Sequence, residues 1–380
     1  MSAIGTGRRL ASQAAVIGTA TVFGLTYGLS APLIAMNLSD RGEPEWLIGL
    51  NAAMHALGVL LIAPLLPRLA QSTGTRRLMA VALIAAAIVL AAFPMFPAIL
   101  VWFGLRLALG AASEVLFVLS ETWTNDLADD TTRGRTMAVY TAMLSAGFAG
   151  GPAIVAFAGS GATAYLIGSA LALAAIAPLL WPRIVPPAPL EPSTTPARAY
   201  LAMAPLAIAT TVLNAAVETA GLSFLPLYAM GLGWTEQQGM QLVSTLLVGA
   251  ILMQLPIGWL ADKMNPRTLM VALALITTVT AFIWPWMFAT PWVAYAMVFA
   301  WGGLFVGIYT VMLAIVGARF SGTDLVGIYA VMGSAWGVGA LVGPLGAGVA
   351  MHLSSAYGLP FAVGIACGLF ALYALIRKGT

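Results

Sequence analysis

Few side chains in this sequence can do chemistry, and three of them sit where charge is least welcome. Arg106, Glu114 and Glu218 each interrupt a long apolar run. Ionisable groups are expensive in hydrocarbon, so such residues default to functional candidates that face a cavity or a partner. Glu218 has Asn214 one helical turn earlier on the same face. Desolvation disfavours the ionised form of a carboxyl, which suits a group that must take up and release protons near neutrality. Glu218 is therefore the first candidate for a proton-coupling site and Glu114 the second. The bland alternative is a neutral, hydrogen-bonded carboxyl that only shapes a cavity. Arg106 and Glu114 are eight residues apart, which on a helix is about 80° around the axis and ~12 Å along it. Both can face one cavity without pairing. Arg106 has three open readings: a clamp for an anionic substrate group, a charge that tunes a nearby carboxyl, or a structural tie between the first and fourth helices.

Other polar and aromatic residues fall in the same kind of run. His55 has Asn51 one turn before it, and Tyr27, Tyr309 and Trp336 offer rings on which a flat or amphipathic solute can stack. With Arg106 and Asn214 these are the candidate substrate-binding residues, although each ring taken singly also fits packing or an interfacial anchor. Met54-His55 and Met351-His352, with 18 methionines in all, permit a soft-metal reading. Their scattered spacing gives no metal site, and none is expected.

The remaining chemistry is excluded by what the chain lacks. Its one cysteine, Cys367, can form no internal disulfide, and no Cys/His cluster has zinc spacing. One cysteine and two histidines leave no plausible triad or metal centre. No Gly-x-x-x-x-Gly-Lys-Ser/Thr loop is present to cradle ATP. The bases form short groups rather than a continuous patch, which argues against nucleic acid. No enzyme activity and no cofactor are expected.

The elements that must hold these residues follow from composition. The 380 residues are 61% hydrophobic and 8% charged, against about 25% charged for a soluble domain. Lipid is the solvent that such a surface fits. A helix needs about 20 mostly apolar residues to cross the hydrocarbon layer, and the runs here are far too long for barrel strands. Spans are expected near 12–36, 46–66, 77–95, 98–121, 136–158, 162–181, 200–230, 238–260, 268–288, 291–317, 326–350 and 358–376. The first run is longer than a signal-peptide core, so it reads as an uncleaved span. With the N-terminus cytoplasmic, Arg8, Arg9, Arg68, Arg76, Arg77, Arg133, Arg135, Arg183, Arg198, Lys263, Arg267, Arg319, Arg377 and Lys378 all fall inside, fourteen of the 16 bases. That sorting obeys the positive-inside rule. It fits twelve spans in a cell inner (cytoplasmic) membrane, with both termini cytoplasmic.

Residues 182–199 form the one long polar, proline-rich stretch, which reads as an extended cytoplasmic linker. It separates a six-helix bundle at 1–181 from a second at 200–380. The halves echo each other at an offset of 192: Gly147-x-x-x-Gly151-Pro152 matches Gly339-x-x-x-Gly343-Pro344, Pro64 matches Pro256, and Gly110 matches Gly302. Small residues four apart let helix backbones approach closely in lipid, and proline allows a bend. These runs are expected to give spans five and eleven a tight, kinked contact across the domain interface.

Together these motifs resemble the major facilitator superfamily. Its loop signature is similar to Gly258-Trp259-Leu260-Ala261-Asp262-Lys263-Met264-Asn265-Pro266-Arg267, while the first-half counterpart keeps Gly74 and Arg76-Arg77 but has lost the acid. Arg106-x-x-x-Gly110 resembles the family's buried-arginine motif, and Gly147 to Pro152 the first part of its antiporter motif, with Val155 and Ala156 where glycines usually follow. Glu121-Thr122-Trp123-Thr124-Asn125, Arg133-Gly134-Arg135, Glu218 and Pro226-x-Tyr228 resemble the YcaD-like branch. The resemblance implies an all-α membrane protein of two pseudo-symmetric six-helix bundles working by alternating access. It implies gating roles for Asp262, Arg267, Arg133, Arg135, Gly147, Gly151, Pro152, Gly343 and Pro344, with Asp262 as a cytoplasmic latch near the start of span five. The leading expectation is a monomeric, proton-coupled secondary transporter of a small organic solute, with export favoured. The alternatives are a proton symporter importing an anionic nutrient, with Arg106 as clamp, a lipid or lysolipid translocase, and a non-transporting membrane sensor.

Overall fold

In the computed structural model, the described residues are 6–128, 133–182, 184–185, 200, 202–320 and 322–377; the side chains of 6, 133–135, 138, 322–327 and 330 lie outside the description. Most of the expected linker, including Arg183 and Arg198, is outside it, as are Asp129, Asp130 and Lys378. The described residues are almost all helical and contain no strand. Among the described residues twelve helices are long and apolar enough to cross a membrane, at the twelve places the hydropathy pattern marks.

We number the helices used below in chain order. The first half contains α1 (Thr6–Asp40), α2 (Glu45–Ile62), α3 (Leu66–Thr73), α4 (Thr75–Ala92), α5 (Ile99–Asp126), α6 (Arg133–Ala158), α7 (Ala162–Ala174) and α8 (Ile176–Leu179). The second contains α9 (Pro205–Gly231), α10 (Glu236–Leu252), α11 (Gln254–Lys263), α12 (Pro266–Met287), α13 (Pro291–Arg319), α14 (Gly322–Leu353) and α15 (Gly358–Ile376). Prolines open α9, α12 and α13, where the missing N–H has no intrahelical partner to lose. Asn265 caps α12, its Oδ1 accepting from the N–H groups of Arg267 at 3.0 Å and Thr268 at 3.2 Å. Thr235 and Gln238 close a capping box at the start of α10.

The internal repeat is visible in how the spans break. Pro64 divides the second span into α2, a single 3₁₀ turn at Ala63–Leu65, and α3. Pro256 lies beside the matching break between α10 and α11. Each proline removes one backbone hydrogen bond from its helix. Gly74 then turns the chain from α3 to α4 with φ +83°.

The chain forms two units, one of residues 1–33 and 54–192, the other of 34–53 and 193–380. In the first unit, Gly147 and Gly151 of α6 press backbone to backbone on α1. A Cβ at Gly147 would lie 2.2 Å from Thr21 O, and one at Gly28 of α1 would lie 2.3 Å from Phe148 O. In the second unit, Gly339 and Gly343 of α14 meet α9, with Val212 O and Ala216 O at 2.3 and 2.0 Å from the added Cβ. The glycine runs were expected to form a contact across the domain interface. Instead Gly147 and Gly151 bind α6 to α1 inside one unit, because only a neighbour without side chains between the backbones can sit that close. A second repeated pair joins α2 to α5 through Gly58 and Gly110, and α10 to α13 through Gly249 and Gly302.

Large apolar side chains lie exposed along the spans. Phe157 is 95% exposed and Leu255 83%, a surface that suits acyl chains rather than water.

Candidate functional site

Four helices of the first unit converge on Arg106. It lies in α5 at 2% exposure, and its Nη1 approaches Ser30 Oγ of α1 at 3.5 Å. Its Nε is buried with no hydrogen-bond partner among the described residues. Among the same residues no carboxylate stands within ion-pair distance of it. Tyr27 of α1, Tyr165 of α7 and His55 of α2 are within electrostatic reach of the guanidinium. The His55 ring meets Tyr27 edge-on, with centroids 4.8 Å apart, and His55 Nδ1 has no partner there either. Gly110 holds this geometry, since a Cβ there would lie 2.0 Å from His55 O. Phe23, Phe117 and Phe148 continue the ring cluster from Tyr27, with Tyr27–Phe148 at 5.5 Å and Phe23–Phe117 at 5.8 Å. Glu114 sits two turns further along α5, half-buried, within electrostatic reach of Glu121.

The second unit holds a separate polar pair. Glu218 lies midway along α9, half-buried. Asn214 Nδ2 donates to Glu218 Oε2 at 3.3 Å, as the one-turn spacing predicts. Among the described residues no Lys, Arg or His is within ion-pair distance of Glu218, and the buried Asn214 Oδ1 has no partner. Tyr309 of α13 and Trp336 of α14 are half-buried. Asn51 is in the second unit too, 1% exposed, with neither amide atom partnered among the described residues.

The loop motif has a structural duty. Arg267 Nη2 donates to Ala374 O at 2.8 Å and also reaches Arg377 O, so it caps the carbonyl end of α15. Arg76 repeats this in the first unit, donating to Leu179 O at 2.9 Å and Trp181 O at 2.7 Å. Asp262, in the last turn of α11, is exposed. The side chains of Arg133 and Arg135 lie outside the described residues. Pro344 O of α14 faces Gly49 of α2, 2.3 Å from where a Cβ would be.

The model of the Major Facilitator Superfamily matches residues 16–308 and 207–379. The chain belongs to the major facilitator superfamily. It is therefore a membrane transporter by family, not an enzyme. This facilitator is 26% identical over 285 residues to the uncharacterized MFS-type transporter YfkF of Bacillus subtilis (strain 168), spanning 72% of this chain and 71% of the relative. Its fold is similar to that of a nucleoside transporter, NupG, with TM-score 0.77 at 15% identity over 98% of this chain and 100% of that one. A D-xylose-proton symporter superposes with TM-score 0.79 at 16% identity, covering 97% and 98% of the two chains. A bacterial homolog of the human lysosomal transporter Spinster gives 0.76 at 12% identity, covering 98% and 95%.

Sequence reasoning put Arg106, His55 and Tyr27 on one list, and this facilitator brings them together. It missed Ser30 and Tyr165, which reach Arg106 from other helices. The only local signal for Ser30 is its place three residues after Tyr27, on the same face of α1. Tyr165 has no local signal, because its approach depends on how α7 packs.

Proposed function

We propose that this facilitator is a secondary transporter that moves a small organic solute by alternating access, coupled to protons through Glu218, with export as its direction. The observation that carries the reading is the Glu218–Asn214 pair: a carboxyl midway along an apolar helix, held by a neutral amide and, among the described residues, by no cation. One amide side chain serves both protonation states. An ionised Glu218 accepts from Asn214 Nδ2, and a protonated one has an acceptor in Asn214 Oδ1. The carboxyl thus keeps one amide partner in either protonation state, which avoids leaving the carboxyl itself unpaired in a low dielectric. A D-xylose-proton symporter shares the fold, so the architecture accommodates proton coupling. Glu114 is the reserve site on α5.

The sorting of bases supports a cytoplasmic membrane with both termini inside. The partial antiporter motif of Gly147, Gly151 and Pro152 supports export. The gating role assigned to Asp262 with Arg133 and Arg135 belongs to the same proposal, as does a monomeric state. A thermal-shift screen of candidate solutes on purified protein at two pH values tests it. A stabilising solute should show a pH-dependent shift in the native protein and lose that dependence in Glu218→Gln. A dependence that survives in Glu218→Gln, and disappears in Glu114→Gln, would move the proton to α5.

A further inference from the structure

The guanidinium of Arg106 has a need that the described residues of its unit do not meet. It is 2% exposed, its Nε has no partner, and its one hydrogen bond among them is the 3.5 Å approach to Ser30 Oγ. Arginine does not shed its proton in proteins, so burial cannot be relieved by neutralisation. Buried charges are stable when paired and fully hydrogen-bonded. Among the described residues the titratable groups within reach, Tyr27, Tyr165 and His55, are all uncharged or cationic near neutral pH. His55, itself 3% exposed, brings a second unpartnered nitrogen, Nδ1, to the same place.

The free Nε also indicates the shape of the partner. The Nε edge of a guanidinium presents two parallel N–H groups, which match the two oxygens of a carboxylate. From Tyr27, which is within electrostatic reach of the guanidinium, a line of rings runs on through Phe148, Phe23 and Phe117. Phe117 and Phe148 are only half-buried, so this line has a face that a ligand's apolar body can cover. A compact anion alone would leave the rings unused, and a neutral aromatic would leave the charge uncompensated.

We propose that the transported solute is an amphipathic organic carboxylate, bound in the first unit with its carboxylate on Arg106 and His55 and its apolar body against Phe23, Tyr27, Phe117 and Phe148. This rests on the transporter reading and adds the substrate class. It differs from a purely structural role for Arg106, which needs only the bond to Ser30.

Binding to the purified full chain in detergent tests the assignment without requiring transport. The probes are benzoate, 1-naphthoate and octanoate, each paired with its neutral amide, read by tryptophan fluorescence and thermal shift. At least one acid should bind tenfold or more tightly than its amide. Arg106→Gln should abolish that preference, Arg106→Lys should weaken it, and Ser30→Ala should leave it in place. His55→Ala should reduce affinity for the acid and spare the amide. The proposal is overturned if no acid is preferred over its amide, or if the preference persists in Arg106→Gln. It is equally overturned if Ser30→Ala removes the preference as fully as Arg106→Gln does. Should Arg106→Gln fail to fold, Arg106→Lys against Ser30→Ala decides the matter. Failure here would leave the Glu218 proton test standing, and failure of that test would leave carboxylate binding measurable.

Discussion

Gly150 and Gly151 are neighbours in α6, yet alanine should have opposite effects at the two. A Cβ at Gly151 would lie 2.2 Å from Leu29 N, 2.5 Å from Gly28 C and 2.7 Å from Leu25 O, all of them backbone atoms of α1. Ordinary contact begins near 3.4 Å, so the two helices would have to part by about 1.2 Å, the difference between 3.4 and 2.2. Overpacking of this kind costs about 1–3 kcal/mol, and backbone atoms cannot swing aside, which places Gly151→Ala toward the upper end. Alanine recovers about 0.5–1 kcal/mol of helix propensity, leaving a net loss of about 1–2 kcal/mol. At Gly150 the nearest atom is Leu25 Cδ1 at 3.9 Å, so only the gain remains. Thermal melting of the purified variants in one detergent reads the difference. At about 2–4 °C per kcal/mol, Gly151→Ala should melt several degrees lower and Gly150→Ala slightly higher than the native protein. The second unit repeats the contrast with Gly343, whose Cβ would lie 2.0 Å from Ala216 O, against Gly346, which has nothing within 4 Å. Gly151→Ala melting at or above the native temperature would refute the backbone-to-backbone packing of α1 and α6.

Three further outcomes follow from particular contacts. Arg76→Ala and Arg267→Ala each strip two carbonyl acceptors of their partner; with a solvated site discounting the charged bonds, each should lose about 1–2 kcal/mol, seen as similar drops in melting temperature. Lysine at either place keeps the charge but reaches fewer carbonyls, so it should rescue only part of the loss. His352→Gln removes the 3.2 Å pair with Glu45, and because both side chains are substantially exposed the loss should stay below about 1 kcal/mol. Gly49→Ala, whose Cβ would lie 2.3 Å from Pro344 O, should cost more than that, because backbone packing rather than the His352–Glu45 contact joins Gly49 of α2 to α14; equal effects would contradict this. Trp301→Phe keeps the stacked contact with Phe305 at 5.0 Å but loses the indole bond to Thr277 O, so melting should register a loss of about 1 kcal/mol.

Much of the architecture is legible in residue order because lipid imposes it. A chain with 8% charged residues has to bury its backbone hydrogen bonds in helices, and the apolar runs count them. Pro64 and Pro256 mark the breaks between α2 and α3 and between α10 and α11, since a missing N–H acts locally. Glu218 and Asn214 pair as their one-turn spacing predicts, because i and i+4 neighbours are fixed by the helix itself. What the order of residues did not contain was the partner of each glycine run. Gly-x-x-x-Gly says that a backbone approaches, but which one depends on packing, and the answer was α1 for α6 and α9 for α14. The motif marks Arg267 as a gating residue, but its bond to the carbonyl end of α15, 107 residues away, comes only from packing. Arg106 was readable as a buried charge. That its neighbours would be Ser30, Tyr27, Tyr165 and His55, with no carboxylate among them, was decided only when four helices converged, because side chains far apart in sequence meet only through tertiary packing.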